Sequence, residues 1–290
     1  MNAEETVYAN FSQPELDAHY NNSAKVANAA ETIQWYSAIS REWSASAGGL
    51  RDISYGEHPS ETLDIFSPLA KNDAVSRPVH LFFHGGYWRA LHKDDFSFVA
   101  NAISDTDALC VIVNYGLIPT VSMSELILQC RRSVAWVYRN IGRYGGDENR
   151  LSVSGHSAGG HIVAMLAATK WTEFGDSLPD DLIKAGVSLS GLMDLEPIRK
   201  SYLNENLDLS EKDVETNSPA LLGNYSETDL LCLVGALEGE EYYRQSIIVA
   251  DRWDHAICEV VTGHDHFSIC SDLYDPQSEI SQRLKQHCKL

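Results

Sequence analysis

Positive charge is scarce in this chain. Its 290 residues carry 22 Lys and Arg against 41 Asp and Glu, a formal net charge of −19. A surface so acidic repels phosphate backbones and anionic headgroups, so neither nucleic acid nor a membrane is expected as a partner. Long hydrophobic runs are missing too, and none is long enough to span a bilayer. The opening MNAEETVYAN has no basic n-region and no apolar h-region, which leaves no visible secretory signal and makes the cytoplasm the expected compartment. The six cysteines (Cys110, Cys130, Cys232, Cys258, Cys270, Cys288) form no C-x-x-C pair, and several sit in apolar runs. Buried free thiols are expected rather than a disulfide framework. There is no H-E-x-x-H or other clustered ligand pattern, and no G-x-G-x-x-G, so neither a metal nor a dinucleotide cofactor is expected.

What is present is an ordinary globular composition, 44% hydrophobic, in a length that suits one sizeable core. Strand-like and helix-like segments alternate. RDISYG (51–56) and TLDIFSP (62–68) read as an early hairpin. VHLFFHGG (79–86), ALCVIVNYG (108–116), RLSVSG (150–155), AGVSLSG (185–191), LLCLVGA (230–236) and AICEVVTG (256–263) read as strands, the second apolar enough to be buried on both faces. Helical periodicity runs over 14–46, over 124–141 with Ser124 as its cap, and over 158–170, 240–253 and a segment beginning at or after Pro276. The βαβ rhythm predicts the α/β class, with a mostly parallel central sheet wrapped by helices. The reading is one domain over 1–290, with an N-terminal helical extension over 1–48. The stretch 192–229, rich in Asn, Asp, Glu and Pro, breaks the rhythm and is expected to form a small cap.

GHSAG (155–159) fits G-x-S-x-G. The pattern alone is weak, but here it follows a predicted strand and opens a predicted helix, as a nucleophile elbow requires. Ser157 would stand on a tight turn, with the helix N-terminus and the N–H of Ala158 behind it. HGGYW (84–88) ends another strand, and glycines there let backbone N–H groups face a substrate oxygen. Gly85, Gly86 and Tyr87, with Ala158, are the candidate oxyanion donors. Tyr87 and Trp88 are the candidate aromatic wall of the substrate pocket. A serine needs a base, and the base an orienting acid. Glu238 lies just past a strand tip, with Glu240, Glu241 and Asp194 as alternatives; His266 in VTGHDHFSI is the preferred base, with His264 as the alternative. His84 is expected to brace the oxyanion loop, His161 to pack beneath the elbow helix, and His156 to point away from Ser157.

From residue 50 onward the chain resembles the α/β-hydrolase superfamily, and within it the kynurenine formamidase (arylformamidase) group and its HGG-x-W carboxylesterase relatives. The resemblance rests on HGGYW, GHSAGGH, VGALEGEEYYRQS and GHDHFSI, with ELDAHYNNSAKV similar to the N-terminal segment of bacterial members. It implies an α/β-hydrolase fold, a Ser157–His266–Glu238 triad where many relatives carry aspartate at the acid, and no cofactor. It implies cleavage of a small N-formyl or N-acyl amide through an acyl-enzyme. A carboxylesterase acting on short-chain esters is the alternative, and a non-catalytic ligand-binding hydrolase fold is a third reading. A small-molecule substrate is the expected partner; a homodimer is compatible with the sequence but not required by it.

Overall fold

The computed structural model describes residues 5–67 and 76–290. Residues 1–4 of the expected extension, and Pro68 at the end of the expected hairpin, lie outside the described residues. The chain opens with a two-stranded ribbon, β1 (Thr6–Tyr8) and β2 (Phe11–Ser12). Three helices follow where the periodicity predicts one continuous segment: α1 (Gln13–Tyr20), α2 (Asn22–Lys25) and α3 (Ala29–Ser46). Asn21 causes the first break. Its side chain accepts the N–H of Ala24 and so restarts the helix as an N-cap.

Eight strands form the central sheet: β3 (Gly49–Ser54), β4 (Thr62–Phe66), β5 (Arg77–Phe83), β6 (Leu109–Val113), β7 (Gly146–His156), β8 (Ile183–Leu189), β9 (Asp229–Gly235) and β10 (Ala256–Val261). Their spatial order is β10-β9-β8-β7-β5-β6-β4-β3. The strands from β5 to β10 are parallel, while β3 and β4 make an antiparallel hairpin on one edge. The crossovers and C-terminal helices are α4 (Met123–Asn140), α5 (Ala158–Ala167), α6 (Trp171–Phe174), then α7 (Glu196–Lys200), α8 (Asn204–Leu207) and α9 (Glu211–Asn217) within 192–229, and finally α10 (Glu240–Ala250), α11 (Ser268–Ser271) and α12 (Glu279–Cys288). The cap of α4 is Ser122, not the expected Ser124. Ser122 stands three residues before Glu125 and accepts its N–H, the S-x-x-E spacing that favours a helix start.

Each parallel strand divides its side chains between two cores. Leu230, Cys232 and Val234 of β9 join one cluster with α1, α4, α5 and α10. Leu231 and Leu233 join the other, with α3, α11 and α12. Helix α5 is buried along its whole length, which explains its almost unbroken apolar sequence AGGHIVAMLA. All six cysteines are free; five are buried and Cys258 is half-buried. No described helix is long and apolar enough to cross a membrane.

Strand order reverses between β5 and β7, since β6 lies on one side of β5 and β8 on the far side of β7. Ligands of open parallel sheets settle in the crevice beyond the carboxyl ends of strands at such a point. HGGYW leaves β5 there, and GHSAG leaves β7 beside it.

Candidate active site

Ser157 joins β7 to α5 with φ 57° and ψ −115°. A side-chain-bearing residue rarely adopts this conformation, and it holds only where the surroundings force it. Two glycines make it feasible. A Cβ at Gly155 would overlap the Gly159 carbonyl, and one at Gly159 would overlap the carbonyl of Phe83 on the neighbouring strand. Strand and helix therefore meet backbone to backbone. The Ser157 N–H is held by the Leu189 carbonyl at 2.8 Å.

The distant loops converge on this serine. His266 Nε2 lies 3.1 Å from Ser157 Oγ, and His266 Nδ1 lies 2.7 Å from Glu238 Oε2. The other carboxylate oxygen of Glu238 accepts the Gly235 N–H at 2.7 Å and the Ser190 hydroxyl at 2.6 Å. All three side chains of the relay are buried. A carboxylate has no hydrogen to give, so facing Glu238 the ring N–H sits on Nδ1. That leaves the Nε2 lone pair facing the serine hydroxyl, the tautomer a general base needs.

The alternative residues are engaged elsewhere. Asp194 accepts the Tyr8 hydroxyl and pairs with Arg244. Glu241 accepts the Tyr20 hydroxyl and also pairs with Arg244. Glu240 is exposed beside His19, and His264 faces Asp272. Ser190 is a member of the site that no sequence pattern singles out. It sits just past β8 with φ 53°, a backbone constraint that residue names do not announce.

The glycine loop lies against the serine. An added Cβ on Gly85 would stand 3.3 Å from the Ser157 Cβ. Gly86 has φ 110°, and Tyr87 and Trp88 follow with φ 48° and 58°. Among the described residues, none accepts a hydrogen bond from the N–H of Gly86 or Tyr87. The Ala158 N–H, first in α5, has no partner within its helix. His84 braces the loop as expected: its Nδ1–H donates to the Gly85 carbonyl at 2.8 Å, and its ring stacks on Tyr115 at 4.3 Å. Burial lowers its pKa to about 4, so it stays neutral.

One expectation is corrected. Trp88 is fully buried and does not line the pocket, because the left-handed loop swings its indole inward. There its Nε1–H donates to His161 Nδ1 at 3.1 Å, while His161 Nε2–H donates to the Asn217 carbonyl at 2.7 Å. His156 packs against the histidine loop. Its ring lies 4.8 Å from that of His266, and its Nε2–H donates to the His266 backbone carbonyl at 2.7 Å, fixing the histidine loop. Burial holds the His156 pKa well below the usual range, so it acts as a neutral donor.

Beside Ser157 opens a cavity of about 240 Å³, below the volume that drug-sized ligands occupy. Tyr36, Tyr87, Phe96, Tyr202 and Phe267 give it aromatic walls, and among the described residues Arg89 is the one Lys, Arg, Asp or Glu that lines it. Tyr202 and Leu203 come from the segment 192–229; Asn22, Ser23 and Tyr36 come from the N-terminal extension. Among the described residues, no three His, Cys, Asp or Glu side chains gather as metal ligands would.

The family model BD-FAE matches residues 63–235, from β4 to the end of β9. The chain belongs to that family. Kynurenine formamidase of Danio rerio is 34% identical over 244 residues, covering 81% of this chain and 80% of that protein. Kynurenine formamidase of Salmo salar is 30% identical, covering 89% of each. A solved Silicibacter sp. TM1040 protein, assigned as a thioesterase, superposes with a TM-score of 0.82 at 26% identity, over 92% of this chain and 98% of that one. The fold is thus that of the α/β-hydrolases, and the chain is an amide or ester hydrolase of that superfamily.

Proposed function

We propose that the chain hydrolyses a small N-formyl or N-acyl amide of an aromatic or conjugated amine, through an acyl-enzyme on Ser157. The observation that carries this reading is the Ser157–His266–Glu238 chain of hydrogen bonds opening into a small aromatic-walled pocket. Ser157 Oγ attacks the acyl carbon as its proton passes to His266 Nε2. The imidazolium is stabilised by Glu238, and the oxyanion by the N–H groups of Gly86, Tyr87 and Ala158, with Gly85 keeping the approach clear. His266 then delivers the proton to the amine nitrogen as the C–N bond breaks. Water, deprotonated by the same imidazole, releases the acid and restores the serine hydroxyl. In this reading 192–229 is a small cap, and Tyr202 and Leu203 are its contribution to the wall. The two formamidase relatives support the amide; the thioesterase assignment of the Silicibacter protein supports short acyl esters as the second reading.

A substrate series on one aryl amine separates the two. A cavity of this size that holds the ring leaves little room for a longer acyl chain. The expected kcat/KM falls from formyl to acetyl to butyryl, each unhoused methylene costing about 1–3 kcal/mol. A flat or rising series, with no formamide hydrolysis, assigns the chain to the esterases.

A further inference from the structure

The N-terminal extension enters the pocket wall at Asn22, and Asn22 connects to residues on two other parts of the site. The Tyr87 hydroxyl donates to the Tyr20 carbonyl at 2.7 Å, and a carbonyl oxygen permits no other direction. Tyr87 and Tyr242 hydroxyls are 2.9 Å apart, so with the Tyr87 hydrogen committed, Tyr242 must be the donor. The Tyr242 oxygen can then only accept, and it does so from Asn22 Nδ2 at 2.6 Å. The second Nδ2 hydrogen reaches Tyr87 at 3.3 Å. Burial raises the pKa of Tyr87 and Tyr242, so each hydroxyl keeps its hydrogen. With the Asn22 amide nitrogen on Tyr242, the hydrogens run from Asn22 through Tyr242 and Tyr87 to the Tyr20 carbonyl, and Asn22 Oδ1 is buried without a hydrogen-bond partner among the described residues.

The two tyrosines are not neutral places to end. Tyr87 belongs to the glycine loop and holds an unfavourable φ of 48°. A backbone of that kind persists only when the surrounding structure over-determines it. The Tyr242 ring lies 4.7 Å from the His266 ring. Lys25, also from the extension, donates to the Glu238 backbone carbonyl at 3.1 Å and stands 5.3 Å over the Tyr242 ring.

We propose that Asn22 is a positioning residue of the active site, setting the Gly86–Tyr87 loop and the His266 ring through the hydroxyl of Tyr242. This rests on the hydrolytic reading above. The extension would then be part of the catalytic apparatus and not a tether on the outside of the domain.

Two variants test it, with p-nitrophenyl acetate and formanilide as substrates. Tyr242→Phe keeps the ring on His266 and removes one hydroxyl. Asn22→Asp replaces a double donor by an acceptor, which draws the Tyr242 hydrogen away from Tyr87. Each is expected to lower kcat about 10- to 100-fold, the scale at which small misplacement is felt, with KM changed less than about threefold. Protonating the carboxyl that Asn22→Asp introduces restores a donor, so the ratio of the variant's kcat to that of the unmodified protein should rise as pH falls from 8 to 5. The ionisable groups around that site are Tyr20, Lys25, His19 and Tyr36 from the extension, Tyr87 and Arg89 from the loop, Tyr242 and Glu241 from α10, Glu238 and His266 across the Tyr242 ring, and His156 and Tyr202 on the shared cavity wall. All are common to both proteins, so the ratio isolates the new carboxyl. Labelling of Ser157 by a fluorophosphonate reports the same comparison without a chosen substrate. Variants that match the parent within twofold overturn the inference. So does a loss that is independent of pH and tracks a loss of folded protein. A parent protein that neither turns over nor labels sinks the hydrolytic reading instead.

Discussion

Replacing Glu238 by glutamine should abolish turnover through the tautomer of His266 rather than through its position. The side chain keeps its shape, but only one of its two terminal atoms can now accept. Two donors, the Gly235 N–H at 2.7 Å and the Ser190 hydroxyl at 2.6 Å, compete with one ring N–H at 2.7 Å for that single oxygen. Turning the amide nitrogen toward Gly235 would set two N–H groups against each other in a buried site. An unpaired buried donor costs about 1–3 kcal/mol. The amide oxygen therefore stays with Gly235 and Ser190, and its NH₂ faces His266. Nδ1 must then accept, the ring proton moves to Nε2, and the base can no longer receive the Ser157 proton. The matching change in serine proteases costs about 10⁴ in kcat, equivalent to about 5 kcal/mol at 1.36 kcal/mol per decade. Asp194→Asn is the control, because Asp194 binds Tyr8 and Arg244 and touches no member of the relay. The assay is steady-state hydrolysis of p-nitrophenyl acetate, with circular dichroism and thermal melting to establish that each variant is folded. A folded Glu238→Gln protein within tenfold of the parent would refute this account of the acid, as would a larger loss from Asp194→Asn.

Ser157→Ala should fold normally and lose several decades of turnover, about the scale of other triad knockouts; a folded, active variant would contradict the nucleophile assignment. Acid should destabilise the fold well above the carboxylate range. His80, His84 and His161 are fully buried with pKa values lowered to about 3, 4 and 4, and the same burial holds His156 well below its usual range. A depressed folded-state pKa gives stability that is complete above the unfolded value of about 6.5 and is lost as pH falls toward 4, at up to about 1.4 kcal/mol per pH unit for each group. Unfolding at pH 5 should therefore take up about three to four protons, read from the pH dependence of denaturant midpoints; an uptake of one or fewer would mean these imidazoles are not held neutral.

The parallel strands are legible because burial on both faces leaves a short apolar run that polar turns interrupt, as in LCVIV of β6. The ends of elements are less so. The first break in the N-terminal helical segment is hidden because a capping side chain at Asn21 interrupts the chain without any change of composition. The helices of 192–229 have five, four and seven residues, too few turns for a helical period to repeat. The 3-10 turns Lys93–Asp95 and Ser97–Ile103 escape for the same reason. Trp88 reads as a pocket residue because an aromatic beside a glycine pair suggests a substrate wall. The sign of φ at residues 87 and 88 decides which way each ring turns, and that sign is not written in the residue names.

The elbow is legible from its own local pattern, since Gly155, Ser157 and Gly159 meet a constraint confined to one turn. The candidate acid is less so, because four carboxylates follow strand tips and only their partners separate Glu238 from its alternatives. Glu238 is distinguished by Ser190, 48 residues away, and by the backbone N–H of Gly235. The relay through Asn22 lies further beyond reach. Its bonds span 65, 155 and 220 residues of sequence. Its direction follows from one backbone carbonyl that has no hydrogen to give. Residue identity supplies the donors and acceptors, but the order in which they are used is a property of the assembled network. Local spacing can therefore single out the candidate nucleophile, while the hydrogen-bond network around its partners emerges only where the N-terminal helices meet α10 and the glycine loop.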